Sequence, residues 1–240
     1  MYKRLLLVSS LLLSLNSYAF MDSCVKDIFK VGLGFDSGVY DIERDEEDVT
    51  LSSESGISSR INWIIFCPQS GIEISPYIYS RNYSFDNSGE LSGAPDEIDS
   101  FTIGVEFSKE MMVFGKRISA ILDIGSREDF SIYRDYHNDE VHKQSVDNTM
   151  LMVGLKSNIY SSSRTFVSLS AKMGMLFSEE GDIDDGFTSR LSSEVLYKLS
   201  KKYSLMFDFF YDYYDQRSDQ ADAEISRKEL GVTTYFMFRL

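Results

Sequence analysis

From residue 26 onward, apolar and polar positions alternate with a period of two, in ten runs separated by polar stretches. The first run sets Phe29, Val31, Leu33 and Phe35 against Lys30, Gly32, Gly34 and Asp36. The second sets Ile57, Ile61, Trp63 and Ile65 against Ser58, Arg60 and Asn62. In the third, Ile72, Ile74 and Ile78 oppose Glu73, Tyr77, Tyr79 and Arg81. The fourth places Phe101, Ile103, Val105 and Phe107 opposite Thr102, Gly104 and Glu106. The fifth places Ile118, Ala120, Leu122 and Ile124 opposite Ser119, Asp123 and Gly125. Leu151, Val153 and Leu155 then face away from Met150, Met152, Gly154 and Lys156, and Val167 to Phe177 alternate with Ser168, Ser170, Lys172 and Gly174. The last three runs carry Arg190, Glu194 and Lys198, then Asp208 and Asp212, then Glu229 and Arg239 on their polar faces. Each run is long enough to be a strand, and the alternation predicts a sheet with one apolar and one polar side.

The connections alternate as well. Long polar stretches lie near 37–55, 84–100, 126–148, 178–186 and 215–226, and short ones near 67–70, 108–111, 158–163 and 200–202. An even strand count with long loops at one end and short turns at the other predicts a closed antiparallel transmembrane β-barrel of ten strands, with eight or twelve as alternatives. A soluble β-sandwich also alternates but has less reason to sort its connections by length. Aromatics on the apolar faces fall toward the strand ends. Phe35, Phe101, Phe177, Phe187, Tyr211 and Tyr213 lie at the long-loop end, and Phe29, Phe107, Tyr197, Tyr203 and Phe238 at the other. Two such belts suit the two interfaces of a bilayer.

Charge sharpens this picture. The 240-residue chain carries a formal −14, which argues against a nucleic-acid partner. The five long loops hold 27 acidic and five basic residues. The polar strand faces are balanced instead, with eight bases (Lys30, Arg60, Arg81, Lys156, Lys172, Arg190, Lys198, Arg239) and eight acids (Asp36, Glu73, Glu106, Asp123, Glu194, Asp208, Asp212, Glu229). Inside a narrow barrel these predict a lumen network of ion pairs, since unpaired charge there is costly.

Residues 1–19 read as a secretory signal: Lys3 and Arg4, an apolar run from Leu5 to Leu15, then Ser17-Tyr18-Ala19 before a cleavage at Phe20. The run is too short for a membrane-spanning helix, which needs about 20 residues. Residues 20–25 would form a short periplasmic segment and 26–240 the barrel. Two cysteines in an exported chain, Cys24 and Cys67, predict one disulfide.

The last run carries a resemblance. Leu230, Val232, Phe236, Phe238 and Leu240 are apolar at alternating positions up to the terminus. In this the chain resembles the Gram-negative outer-membrane β-barrels, which usually finish with Phe where this one has Leu240. The resemblance implies an outer-membrane location and contact with lipid and lipopolysaccharide. It also implies assembly by the barrel-insertion machinery, which reads that final strand, and a monomer with long loops outside.

No motif names a reaction. Ten-stranded barrels include the omptin proteases, which use an acidic pair and an Asp-His pair at the extracellular rim, and Glu97-x-Asp99 with Asp135-x-His137 is superficially similar. Yet Glu140-x-His142 shows how readily an acid falls two residues before a histidine in such loops, and the omptin Asp-His pair belongs to a later loop. Ser131 near His137 and His142 is an equally thin basis for a lipid hydrolase. Glu179, Asp182, Asp184 and Asp185 offer oxygen ligands for loose Ca2+ or Mg2+ binding without EF-hand spacing, so no dedicated metal or cofactor site is expected. The favoured reading is a non-enzymatic surface barrel whose acidic loops meet envelope or external partners. The alternative is a narrow channel for small solutes or oligosaccharides, and a rim protease or lipid hydrolase comes last.

The disulfide gives a first prediction. If the first strand starts near Lys26 and the second runs back, Cys24 and Cys67 reach the same rim, with strands about 4.8 Å apart where a disulfide spans roughly 4.4–6.8 Å. Closing the loop of about forty residues between them stabilises by about 4 kcal/mol in the chain-entropy model. Alkylation of native envelopes without reductant should modify neither thiol, and two alkylated cysteines would refute the bond.

Overall fold

The computed structural model describes residues 26–43, 49–53, 56–84, 97–134, 141–179, 183–218 and 223–239. The expected leader, residues 20–25 with Cys24, and Asp135, His137, Glu140, Asp182 and Leu240 lie outside them.

Eleven strands follow in order: β1 (Lys26–Glu43), β2 (Val49–Ser52), β3 (Gly56–Cys67), β4 (Ile72–Ser84), β5 (Glu97–Val113), β6 (Lys116–Arg134), β7 (Val141–Ser161), β8 (Thr165–Ser178), β9 (Gly186–Lys198), β10 (Tyr203–Ser218) and β11 (Ala223–Arg239). Every neighbour is antiparallel, and β11 returns to pair with β1 from Ile28↔Arg239 to Glu43↔Glu224, closing a ten-stranded barrel. The short β2 pairs with β1 beyond the end of β3 and continues that strand's line after a break. Closure leaves no sheet edge, the condition for strands to cross lipid.

All ten alternating runs are strands, with the faces as expected. Outward positions expose Leu33, Phe35, Ile57, Leu155, Met173, Leu191 and Leu230, with Phe35 and Leu230 each 64% exposed. A belt of this size is stable only against lipid, so the barrel spans a membrane. Trp63, Phe101, Phe177, Phe187, Tyr197, Tyr203 and Tyr211 are also exposed on that face. At the seam, Phe29 meets Phe238 with ring centroids 5.4 Å apart, and Tyr203 stacks on Phe236 at 5.6 Å. Pro76 faces outward and interrupts the β3–β4 ladder between Asn62↔Tyr77 and Ile65↔Ile74, as a residue without an amide hydrogen must.

Two expectations need correction. Much of the sequence around the expected long loops is strand: β6 and β7 remain paired to Arg134↔Val141, and β10 and β11 to Ser218↔Ala223. Strands of 19 and 21 residues exceed the ~9–11 a bilayer crossing needs, so these hairpins rise past the apolar belt at the long-loop end. Polarity there marks a strand with a polar inner face, where Arg127 and Asn148 are buried, rather than a loop. Secondly, the short turn expected near 108–111 lies at Phe114-Gly115, both with positive φ, between Val113 and Lys116. That is a two-residue turn of the primed type that suits strand twist. Elsewhere Ser162 and Ser200 shape the short turns, each accepting the amide hydrogen three residues ahead, at 2.9 and 3.1 Å.

Cys67 is fully buried at the end of β3 and is not a free thiol. Its strand pairs Phe66 with Lys26, so the chain enters β1 beside it.

Some lumen positions must be glycine. A Cβ on Gly231 would lie 2.5 Å from Phe210 Cζ and 2.7 Å from Asp36 Cβ. Gly231→Val should destabilise the barrel by about 1–3 kcal/mol through overpacking. The temperature at which the fast-migrating folded form is lost on gels should fall, while Thr234→Val on the lipid face leaves it unchanged.

Candidate functional site

The polar faces of the strands meet inside the barrel, and the upper half of the lumen, toward the long loops, is filled. Arg81 on β4 sits at its centre, 3% exposed. Its Nη2 is 2.8 Å from Asp212 Oδ2 on β10, its Nε 3.4 Å from Asp36 Oδ2 on β1, and its Nη1 pairs with Glu229 on β11. Glu229, fully buried, also holds Arg227 Nε at 2.8 Å and Arg127 Nη2 at 3.6 Å. Arg190 links this group downward, reaching Asp212 at 3.3 Å and Asp208 at 3.2 Å. Asp36 further accepts the Tyr79 hydroxyl at 3.2 Å.

Aromatic rings complete the plug. The Arg81 guanidinium lies 4.2 Å from the Tyr79 ring and 5.3 Å from Phe210; Arg190 lies 4.5 Å from Phe210. Tyr214 is flanked by Arg127 at 4.0 Å and Arg227 at 4.5 Å. Such contacts replace part of the hydration that a buried guanidinium loses. A void of about 30 Å³ remains among Arg60, Tyr77, Arg81, Asp123, Arg127 and their neighbours, room for little more than a water molecule.

The lower half, toward the short turns, is different. Here a chamber of about 410 Å³ opens. One wall is charged: Lys172 on β8 is 2.9 Å from Glu106 on β5 and also bonds Asp123, whose other oxygen accepts the Tyr77 hydroxyl at 2.9 Å. Lys156 on β7 pairs with Glu194 on β9, which also accepts Ser168 at 3.3 Å. The opposite wall is apolar, with Ile64, Met206, Tyr235 and Met237 packed together and Ile28 and Leu196 against them. Glu73 and Arg239 line the chamber as well.

The residues expected in the lumen network lie inside the barrel, except that Lys198 and Arg239 are exposed at the short-turn end. Two members were missed. Arg127 and Arg227 fall in or beside stretches that read as loop, and only the extension of β6 and β11 above the apolar belt carries them inward. The parity of Arg127 with Asp123 and Gly125 was the available signal.

Asp99 is exposed and accepts Asn82 Nδ2 at 2.8 Å, while Asp135 and His137 lie outside the described residues. Ser131 pairs in the ladder with Gln144 and His142 with Tyr133. Asp185 accepts the Ser178 amide at 3.1 Å and Glu179 the Thr149 hydroxyl at 3.4 Å. No group of three metal-binding side chains occurs among the described residues.

No known protein family and no curated protein matches the sequence. Among solved structures, the outer-membrane protease OmpT of Escherichia coli is similar in fold, with a TM-score of 0.57 at 10% identity over 91% of this chain and 98% of that one. An outer-membrane channel of Pseudomonas putida F1 superposes with a TM-score of 0.49 at 10% identity, covering 90% and 95%. The translocator domain of the autotransporter NalP from Neisseria meningitidis gives 0.43 at 9% identity, covering 97% of each. The chain folds as an outer-membrane β-barrel.

Arg81 is the test of the plug. Arg81→Met leaves Asp36, Asp212 and Glu229 facing one another with a counter-charge removed, which should cost about 3–5 kcal/mol. Urea unfolding in detergent should show that loss, and a variant as stable as the parent would mean that the pairs are individually dispensable.

Proposed function

We propose that the protein is a non-conducting outer-membrane barrel that acts at its ends, with the long acidic loops outside the cell as the surface that meets envelope or external partners. The observation that carries this reading is the filled upper lumen. Between the chamber and the long-loop end stand Arg81, its three carboxylates and the rings of Tyr79, Phe210 and Tyr214. The void of about 30 Å³ among them is far below the volume of a sugar.

Two further features support it. The hairpins β6–β7 and β10–β11 rise past the apolar belt and lift the loop sequence away from the headgroups. The five long polar stretches, which include the upper ends of strands, are strongly acidic, with a net −22 from 27 acids and five bases. Such loops repel anionic lipopolysaccharide and favour cationic partners or divalent ions bridging to the headgroups. The channel reading draws on the 410 Å³ chamber, but that space ends at the plug.

Planar-bilayer recording decides between them. The purified protein should insert without steady conductance, and Arg81→Met should leak where the parent does not. A porin-sized conductance in the parent would overturn the proposal.

A further inference from the structure

The chamber holds two cations that the ion-pair network does not use. Lys30 on β1 is 9% exposed, and Arg60 stands on β3 at the diagonal position, since Lys30 pairs with Asn62 and Gly32 with Arg60. Among the described residues neither has a carboxylate within salt-bridge distance, whereas Lys156, Lys172 and Arg190 each have one or two. Lys30 Nζ lies 4.8 Å from the Tyr235 ring, and Arg60 lies 4.6 Å from Tyr77 and 5.5 Å from Tyr79. Arg60 Nε is buried and makes no hydrogen bond. The ring faces soften the cost of these charges but do not neutralise them. Two like charges side by side in a low-dielectric wall call for an anion. Arg239 and Glu73 also line the chamber, whose six cations outnumber its four carboxylates, Glu73, Glu106, Glu194 and Asp208.

The second feature is the apolar wall. Ile64, Met206 and Met237 line the same space as Lys30 and Arg60, with Ile28 and Leu196 packed against them. Ile64, Met206 and Met237 are buried against one another, and the partly buried Ile28, Phe66 and Leu196 keep apolar surface beside the chamber. They are useful if an apolar body covers them. A volume of about 410 Å³ also falls in the ~300–1,000 Å³ range of small-molecule sites.

We propose that the lower chamber is a binding site for a small amphipathic anion, a carboxylate held by Lys30 and Arg60 with its hydrocarbon part against Ile64, Met206 and Met237. Entry is from the short-turn end. Occupancy does not depend on whether the barrel conducts, so binding and conductance fail separately.

The test is calorimetric titration of the full barrel in lipid nanodiscs with hexanoate, hexylamine and inorganic phosphate, with empty nanodiscs as blank. Hexanoate should bind one to one, and more tightly than either of the others. Lys30→Met and Arg60→Met should each weaken it about tenfold or more, and Lys30→Arg should retain it. Met206→Asn should weaken hexanoate while sparing phosphate. Heat-modifiable gel migration verifies that each variant is folded, and the comparison of hexanoate with hexylamine needs no variant at all. Hexylamine binding as tightly as hexanoate would overturn the proposal. So would phosphate matching hexanoate, which would mean a plain anion site, or folded Met variants that bind hexanoate unchanged.

Discussion

A charged side chain inside this barrel has lipid beyond the wall and other side chains before it, so its charge must be answered from a different strand. Arg81 shows what that requirement builds. Its three carboxylates come from β1, β10 and β11, and the last of these also engages Arg127 on β6. The group therefore ties the two terminal strands, which meet only at closure, to strands from the middle of the chain. Asp36 and Glu229 lie on either side of the β1–β11 seam, where Asp36 pairs with Gly231 in the ladder. A side chain at that glycine would displace the ring and the carboxylate that Arg81 needs. Backbone closure and charge closure thus fix the same register.

That interdependence explains how much was legible beforehand. Which face of every strand looks inward follows from alternation, because lipid tolerates no charge outside and the lumen has little use for apolar bulk. Positions such as Asp123, Lys172, Asp208 and Glu229 were readable as interior on parity alone. Which acid meets which base was not, because pairing depends on register and shear around a closed sheet, and no local pattern encodes those. Strand length was misjudged for a simpler cause. Above the belt the inner face of β6 and β7 is as polar as the outer, with Arg127 and Asn148 turned inward and buried, so the period-two signal fades while the ladder continues and Arg127 reads as loop. The Phe114-Gly115 turn was hidden because Lys109 to Val113 lacks alternation.

The fold shared with OmpT extends along nearly the whole of both chains, at 10% identity. It shows how a ten-stranded barrel can be built and nothing about chemistry, which resides in particular side chains. Here those side chains are concentrated inside. At the rim, the described acids serve neighbours: Asp99 holds Asn82, and Asp41 takes Lys228 at 2.8 Å and the Thr50 hydroxyl at 2.9 Å. Asp41, above the belt, has its carboxyl held below the usual range chiefly by the Lys228 hydrogen bond. These contacts brace the protruding strands.

The choice of cation separates the two halves of the lumen. In the plug the partners of Asp36, Asp212 and Glu229 are all arginines, and each guanidinium lies over a Tyr or Phe ring. Guanidinium is planar and weakly hydrated and carries donors in a fixed fork, so it can bridge several carboxylates and stack at once without water. In the chamber lysine joins arginine: Lys30, Lys156 and Lys172 line it, with Arg60 and Arg190 at its inner boundary and Arg239 at its mouth. Ammonium is compact and strongly hydrated, with a flexible stem, and it suits a space that holds water and exchanges partners. A lumen meant only to be sealed would gain by using the first kind of cation throughout. The change from arginine to lysine coincides with the change from packed rings to open volume, and this marks the lower half as a space to be occupied rather than filled.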